Sequence, residues 1–264
     1  MAKADNSKKK KYFSIAVMVA VLVSMVSITA VYLGTYYPAV NVEQYLESGA
    51  EQSPDQGQND TEAVQITEIK QGYFFDGSGE ENALIFYPGA KVDTKAYAPL
   101  MYRLAEGGVD CFLVDMPFHM AFFGMNRAET LLENYDYDGW YLGGHSLGGA
   151  MIASFAAKHT DEIDGLLLLA AYTTKDLSDT DLMVLTVYGS EDGVLNRSNL
   201  EKGRSLLPKD SREMCILGGN HAQFGSYRKQ KGDGLAEISG EEQIEITVQE
   251  IILQIQDREN IMKP

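Results

Sequence analysis

Short apolar runs alternate with segments of helical periodicity through most of this chain, and no other feature constrains the fold as strongly. Apolar runs lie at 83–87 (ALIFY), 111–114, 165–171 (GLLLLAA) and 182–188 (LMVLTVY). Strands that are apolar on both faces are typical of parallel sheets covered by helices on two sides. The pattern therefore predicts an α/β chain with a mostly parallel central sheet and helices on both of its faces.

The remaining segments complete this alternation. One or two opening strands are predicted around Gly72, and two further strands at 140–142 and 213–217. Helices are predicted where apolar residues recur at helical spacing, at 94–105, 126–134, 147–158, 196–207 and 241–256. A chain of 264 residues is long enough for one large domain of this class.

The N-terminus differs from the rest of the chain in charge and polarity. Residues 1–11 carry five lysines and one aspartate, so their net charge is +4, which leaves −20 for the other 253 residues. Residues 12–35 contain no charged side chain, and their apolar part would form a helix of about 31 Å, the thickness of a bilayer's hydrocarbon layer. Because the lysines precede it, the sequence predicts a cytoplasmic basic tip over 1–11 and an uncleaved transmembrane anchor over 12–35. A cleaved signal peptide is the alternative.

The segment after the anchor is polar and lacks an apolar period. Residues 36–62 are rich in Glu, Gln, Asp, Ser and Gly, which predicts a flexible stalk. Residues 63–264 would then form the main domain of a single-pass cell-membrane protein, outside the cytoplasm. The acidic excess predicts that this domain stands off an anionic membrane surface. It also argues against a nucleic-acid partner, because phosphate binding needs clustered Lys and Arg.

One serine lies in a motif typical of enzyme nucleophiles. Gly144-His145-Ser146-Leu147-Gly148 is a G-x-S-x-G pattern with a predicted strand before it and a predicted helix after it. On such a turn the hydroxyl is held clear of the sheet. Side chains at the two glycine positions would collide with the neighbouring helix or strand. Ser146 is therefore the predicted nucleophile.

A serine hydroxyl also needs a base to remove its proton. His221 follows the carboxyl end of a predicted strand and is the predicted base, whereas His145 lies inside the motif and points elsewhere. The acid that orients the base is predicted to be Asp192, with Glu191 as the alternative, because both follow a buried strand and emerge at the same sheet edge.

Two further groups are predicted around the nucleophile. The oxyanion of an acyl-transfer reaction needs two backbone donors, which we assign to Leu147 and to either Ala90 or Lys91 after the ALIFYPG segment. A Met- and Phe-rich loop follows the strand at 111–114. Its side chains are candidates for an apolar substrate-binding wall, with core packing as the alternative: His119, Met120, Phe122 and Phe123.

Four segments together resemble a known family: ALIFYPGAKVDTKAYAPLMYRLA, GGHSLGGAMIASFAA, VYGSEDGV and GGNHAQFGSY. They are similar to the bacterial α/β-hydrolases of the dienelactone-hydrolase-like group over about residues 66–256. The resemblance implies an α/β-hydrolase fold with Ser146 as nucleophile, Asp192 as acid, His221 as base and Ala90 as an oxyanion donor. Dienelactone hydrolases proper use a cysteine nucleophile, so the resemblance does not extend to their substrate.

Three absences complete the prediction. Only residues 173–181 separate two predicted strands at the point where many lipases insert a cap, and nine residues are too few to build one. We therefore expect no cap domain and an open pocket. The histidines and cysteines are too scattered for a metal site, and no cofactor is expected. Cys111 and Cys215 are predicted to be buried residues of strands.

These features predict a membrane-anchored serine hydrolase that forms an acyl-enzyme. A carboxylesterase acting on small or medium esters is the favoured interpretation. Thioester cleavage, acyl transfer and peptide hydrolysis use the same groups and stay open. A tethered binding module without catalysis is the alternative of a different class, although binding alone would require neither the G-x-S-x-G turn nor a triad.

Overall fold

The computed structural model describes residues 2–47 and 64–262, in two units that divide between Tyr36 and Tyr37. The first unit is the helix α1, Ala2–Gly34. Its part Tyr12–Gly34, 23 residues, is long and apolar enough to cross a membrane, a criterion that a signal sequence near an N-terminus also meets.

The second unit is built on a single sheet. Its strands are β1 (Gln65–Ile69), β2 (Gly72–Asp76), β3 (Asn82–Tyr87), β4 (Asp110–Val114), β5 (Gly139–His145), β6 (Gly165–Leu169), β7 (Met183–Gly189) and β8 (Arg212–Ile216). They are arranged in the order β1-β2-β4-β3-β5-β6-β7-β8. β2 pairs antiparallel with both β1 and β4, and every other pairing is parallel. The predicted mostly parallel sheet and the opening strands around Gly72 are confirmed.

Helices cover both faces of this sheet, as predicted. They are α2 (Ala98–Glu106), α3 (Arg127–Asn134), α4 (Leu147–Ala156), α5 (Arg197–Arg204) and α6 (Gly240–Met262). On one face α2 and α6 pack against alternate strand residues such as Leu84 and Phe86. On the other face α3 and α4 pack against the residues between them, such as Ile85. Because successive side chains of a strand point to opposite faces, both faces of β3 are apolar.

The beginning of the predicted stalk is paired with the second unit. Tyr37 forms a parallel bridge with Val92, and Ala39 forms an antiparallel bridge with Tyr227. Val40 donates its N–H to the carbonyl of Ser226 at 2.9 Å. The stalk predicted to start at residue 36 is therefore wrong for its first residues, because these non-local pairings leave no mark in local composition. Residues 48–62 of that stalk lie outside the described residues.

Two details of the sheet bear on other predictions. The connection from β6 to β7 spans residues 170–182 and contains neither a helix nor a strand. Cys111 is buried as predicted, but the prediction for Cys215 is wrong, since its side chain is exposed. The reason is that β8 is the last strand of the sheet, where the strand residues remain largely open to solvent.

Candidate active site

Ser146 lies on a sharp turn between β5 and α4. β5 ends at His145 and α4 begins at Leu147, so Ser146 alone makes the connection, with φ 53° and ψ −122°. A positive φ is uncommon for a residue with a side chain, and it is sustained only where the surrounding structure fixes it. Here the amide of Ser146 donates to the carbonyl of Leu169 in β6 at 2.9 Å, which ties the turn to the sheet.

The glycines of the motif are required by close approaches, as the sequence predicts. A Cβ on Gly144 would lie 2.7 Å from the carbonyl carbon of Gly148. A Cβ on Gly148 would lie 2.2 Å from the carbonyl oxygen of Tyr87, the last residue of β3. The missing side chains therefore let the start of α4 pack directly against the end of β3, next to the loop that contains Ala90.

Asp192 and His221 form a buried hydrogen-bonded pair at the same edge of the sheet. Nδ1 of His221 lies 2.8 Å from Oδ2 of Asp192, and the two side chains are 1% and 0% exposed. The other carboxylate oxygen accepts the amides of Val194 and Leu195, both at 2.8 Å. Burial alone would raise the pKa of Asp192, but the hydrogen bond and charge of His221 and the two amides outweigh it, and the pKa is lowered. The carboxylate is therefore held ionised and can orient the imidazole.

The other ring nitrogen of His221 is available for proton transfer. Nε2 is buried and has no hydrogen-bond partner among the described residues. The ring of His221 lies 4.6 Å, between centroids, from the ring of His145, the residue immediately before Ser146. The structure thus brings His221 and Asp192 together beside the serine turn. It does not bring Glu191 to the imidazole, since a carboxylate oxygen of Glu191 accepts the hydroxyl of its neighbour Ser190 at 2.9 Å.

His145 is held in a neutral form beneath His221. Burial, with a smaller effect from His221, lowers its pKa well below the ordinary value for histidine. Its Nδ1 lies 2.8 Å from the hydroxyl of Tyr97, and that hydroxyl also accepts the amide of Gly89 at 3.0 Å. Burial raises the pKa of Tyr97, so its hydroxyl keeps its proton in this hydrogen bond with His145. Tyr97 thereby connects the histidine before the nucleophile with the loop after β3.

The two predicted oxyanion donors are the amides of Leu147 and of either Ala90 or Lys91. Leu147 is the first residue of α4, and an amide in the first turn of a helix has no acceptor within that helix. The amide of Lys91 is already used, because it donates to the carbonyl of His119 at 2.7 Å. Between the two alternatives the geometry therefore favours Ala90, whose amide donates to no acceptor among the described residues.

Comparison with known proteins agrees with this architecture. The sequence profile described as the alpha/beta hydrolase family matches residues 83–245, more than half of the chain. The chain belongs to the alpha/beta hydrolase family. A curated relative, a putative non-heme haloperoxidase of Mycobacterium phage D29, is 28% identical over 106 residues. That match spans 36% of this hydrolase and 38% of the relative.

Solved structures share the fold of this hydrolase at low sequence identity. A soluble variant of monoglyceride lipase from Saccharomyces cerevisiae aligns with a TM-score of 0.53 at 12% identity, covering 79% of this chain and 99% of that one. Est1E from Butyrivibrio proteoclasticus aligns with a TM-score of 0.53 at 16% identity, covering 75% and 97%. Monoacylglycerol lipase from Paleococcus ferrophilus aligns with a TM-score of 0.53 at 15% identity, covering 68% and 97%. Likeness at this level of identity establishes the fold alone.

Asp233 is a residue of the hydrolase's site that the sequence analysis missed. Its carboxylate accepts the backbone amides of His221 at 3.1 Å and Ala222 at 2.9 Å, and it also accepts the amide of Gly193, next to Asp192, at 3.2 Å. One carboxylate therefore holds both the loop of His221 and the turn of Asp192. The only sequence signal was the position of Asp233 between two glycines, which does not reveal partners 40 residues away.

The predicted wall residues of the hydrolase form an outer surface beside the site. They lie on two single turns of 3-10 helix after β4, Pro117–His119 and Ala121–Phe123, with Met120 between the two turns. The rings of Phe122 and Phe123 are 66% and 52% exposed, so the alternative of core packing is wrong for these two. His119 is half-buried, and its carbonyl accepts the amide of Lys91 in the loop after β3. Contact of these side chains with a substrate stays a prediction.

Proposed function

We propose that this hydrolase is a membrane-anchored serine hydrolase and that it acts as a carboxylesterase on small or medium esters. The observation that supports it best is the buried Asp192–His221 pair, whose free Nε2 lies beside the turn that carries Ser146. The resemblance of the chain to the dienelactone-hydrolase-like group is part of the same proposal.

In the proposed reaction, Nε2 of His221 takes the proton of Ser146 Oγ while Oγ attacks the carbonyl carbon of the ester. The carbonyl oxygen becomes an oxyanion, which accepts the amides of Leu147 and Ala90. The intermediate then collapses, the C–O bond to the alcohol breaks, and His221 returns the proton to the leaving oxygen. A water molecule, deprotonated by His221, attacks the acyl-enzyme and releases the acid and free Ser146.

Asp192 supports both halves of this cycle. Its ionised carboxylate stabilises the imidazolium that forms twice, and its hydrogen bond to Nδ1 keeps Nε2 free to accept a proton. The same groups would also cleave thioesters, transfer acyl groups to an alcohol, or hydrolyse peptides, and pocket shape decides among these reactions. The exposed Phe122 and Phe123 favour substrates with an apolar acyl or alkyl group.

Membrane anchoring through α1 is the second part of the proposal. It is supported by the length and apolar character of Tyr12–Gly34 and by the lysine run before it. By the distribution of these charges, the N-terminus is cytoplasmic and the hydrolase unit faces away from the cytoplasm. A protein that starts at a residue after the helix when isolated from the membrane would contradict this part and leave the chemistry intact.

The chemistry is tested by covalent labelling of the full chain. A fluorophosphonate should label the wild-type protein and fail to label Ser146→Ala, while Ser190→Ala, a serine outside the turn, should label normally. If the folded wild-type protein is not labelled, the serine mechanism is wrong and a binding role is favoured. A series of p-nitrophenyl esters of increasing acyl length would then define the substrate class.

A further inference from the structure

Three phenylalanine rings are grouped on the surface next to the active site. Phe118, Phe122 and Phe123 are 55%, 66% and 52% exposed. Phe123 contacts the other two rings edge to face, at centroid distances of 5.7 and 5.6 Å. Single exposed apolar residues are ordinary, but adjacent large rings on a surface mark a place where the protein meets another apolar surface.

A short chain of hydrogen bonds connects this group to the beginning of the second unit. Lys91 donates its amide to the carbonyl of His119, the residue after Phe118, at 2.7 Å. The carbonyl of Lys91 accepts the amide of Tyr37 at 2.6 Å. The hydroxyl of Tyr37 in turn accepts the amide of Lys231 at 3.3 Å. Three hydrogen bonds therefore link the loop of the aromatic group, through Lys91 and Tyr37, to the segment that ends at Lys231.

That segment is basic in an otherwise acidic unit. Arg228, Lys229 and Lys231 are all exposed, and they lie within four residues, whereas the chain after residue 11 carries a net charge of −20. Exposed aromatic rings and exposed basic side chains on linked segments are the combination that binds the interface of an anionic bilayer. The rings enter the boundary between headgroups and acyl chains, and the cations pair with the headgroups.

The connection to α1 favours the same partner. Only Thr35 and Tyr36 separate the last residue of α1 from Tyr37 in the sequence. Two residues reach about 7 Å when extended. If α1 spans the membrane, as proposed above, the chain arrives at Tyr37 without a spacer, because residues 37–40 are paired with the active-site loops and do not act as a stalk.

We propose that Phe118, Phe122 and Phe123, together with Arg228, Lys229 and Lys231, form a surface that binds the anionic bilayer in which α1 is anchored. This proposal rests on membrane anchoring and is independent of the serine chemistry. It replaces the expectation that the acidic domain stands off the membrane. It also means that the active-site edge faces the bilayer, so that esters dissolved in the membrane can reach Ser146 without entering water.

The first test measures the depth of one ring in the membrane. Full-chain Phe122→Trp is reconstituted in vesicles of phosphatidylcholine and phosphatidylglycerol whose acyl chains carry bromine, a fluorescence quencher. The native Trp140 is 7% exposed, so the wild-type protein supplies its background. The matched control is Ile261→Trp, since Ile261 is 76% exposed but lies with Met183 and Arg212 at the opposite edge of the sheet.

We expect brominated chains to lower the added tryptophan emission of Phe122→Trp roughly twofold, and to leave that of Ile261→Trp unchanged, because only the ring in the first variant reaches the acyl boundary. Equal quenching in the two variants would contradict the proposal, since it would show that no particular face meets the bilayer. Absence of quenching in both variants would contradict it as well.

The second test removes the basic part of the surface. In the Phe122→Trp chain, Arg228→Glu, Lys229→Glu and Lys231→Glu together should abolish most of the quenching. The same change of charge at Lys202, Lys209 and Arg212, all exposed, should not. For the activity measurement, the same two sets of charge changes are made in the chain that keeps Phe122. Hydrolysis of a soluble short-chain ester should then stay within about twofold of the wild type in both variants, while hydrolysis of an ester dissolved in the bilayer should decrease only in the first. Unchanged quenching in the first variant would overturn the proposal. A wild-type protein that does not hydrolyse the soluble ester would instead contradict the serine chemistry and leave this proposal standing.

Discussion

The two sides of the active-site edge are built in different ways. On the acid–base side, Asp192, His221 and Asp233 are tied to one another's loops by side-chain hydrogen bonds of 2.8 to 3.2 Å. On the aromatic side, the segment from Pro117 to Phe123 is held by local backbone hydrogen bonds and by one bond from the amide of Lys91 to the carbonyl of His119, and its rings are exposed by half or more.

This difference separates two requirements of the proposed reaction. Proton transfer depends on the position of single atoms, and a misplacement of about 1 Å can cost about 100-fold in rate. An apolar surface tolerates small displacements, because burial of apolar area has no direction. We therefore expect substitutions on the acid–base side to lower kcat, and substitutions on the aromatic side to change KM or the choice of substrate.

Among the substitutions that test the difference between the two sides, Asp192→Asn is expected to have the largest effect on kcat. The amide would favour the wrong tautomer of His221 and remove the charge that stabilises the imidazolium, so kcat should decrease by about 10⁴-fold. Glu191→Gln is the matched control and should remain within a few-fold of the wild type. A small loss in Asp192→Asn together with a large one in Glu191→Gln would reassign the acid.

Asp233→Asn should have the next largest effect. One carboxylate oxygen accepts the amides of Gly193 and His221 and the other accepts the amide of Ala222, so an Asn that keeps one of these sets on its carbonyl oxygen must place its NH₂ group against the other. We expect kcat to decrease about 10- to 100-fold with little change in KM, because Asp233 would act through the loops of the proposed acid and base.

Asp161→Asn, a change at an exposed aspartate, is the control for this prediction. The downfield proton resonance of the Asp192–His221 hydrogen bond provides a readout besides activity. It should shift or broaden in Asp233→Asn and stay unchanged in the control. An unchanged resonance together with unchanged kcat would show that Asp233 has no positioning role.

Phe122→Ala tests the aromatic side, and it should change KM by a smaller factor and leave kcat unchanged. Since the ring is 66% exposed, it can contribute only part of the burial of an apolar substrate group, roughly 1 kcal/mol. KM for a medium-chain soluble ester should increase about fivefold, kcat should be unchanged, and a short-chain ester should be unaffected. A loss of kcat for the short ester would remove the distinction between the two sides.

The sequence predicted the parts of this structure that depend on local pattern. The strands and helices lie within a few residues of their predicted positions, except that α6 continues six residues past its predicted end, because apolar periodicity reflects burial directly. Ser146, Asp192 and His221 follow from a motif and from the order in which loops leave the carboxyl ends of parallel strands. Cys215 was misjudged, because an apolar run does not show which strand ends the sheet.

The residues that the sequence did not predict form hydrogen bonds with partners that are distant in the sequence. Tyr97 connects Gly89 with His145, which lies 48 residues after Tyr97, and Asp233 connects Gly193 with His221. Likewise, the pairing of Ala39 with Tyr227 has no signal in the polar composition of the segment. Such contacts depend on how loops meet in space, and a single sequence does not record that.

The smallest expected effect is on the free energy of unfolding, and it tests whether the charge of Asp192 stabilises the folded protein. The pKa of Asp192 is lowered in the folded protein. Its contribution to the free energy of unfolding is therefore fully present above the ordinary aspartate pKa of about 4, and it is lost as the pH falls through the lowered folded-state value. Asp192→Asn lacks this titration. The difference in unfolding free energy between wild type and Asp192→Asn, followed by denaturation with Trp140 fluorescence, should narrow as the pH is lowered through that range. A difference that stays constant would mean that the carboxylate is held by packing alone, and the acid–base side would then differ from the aromatic side in shape and not in charge.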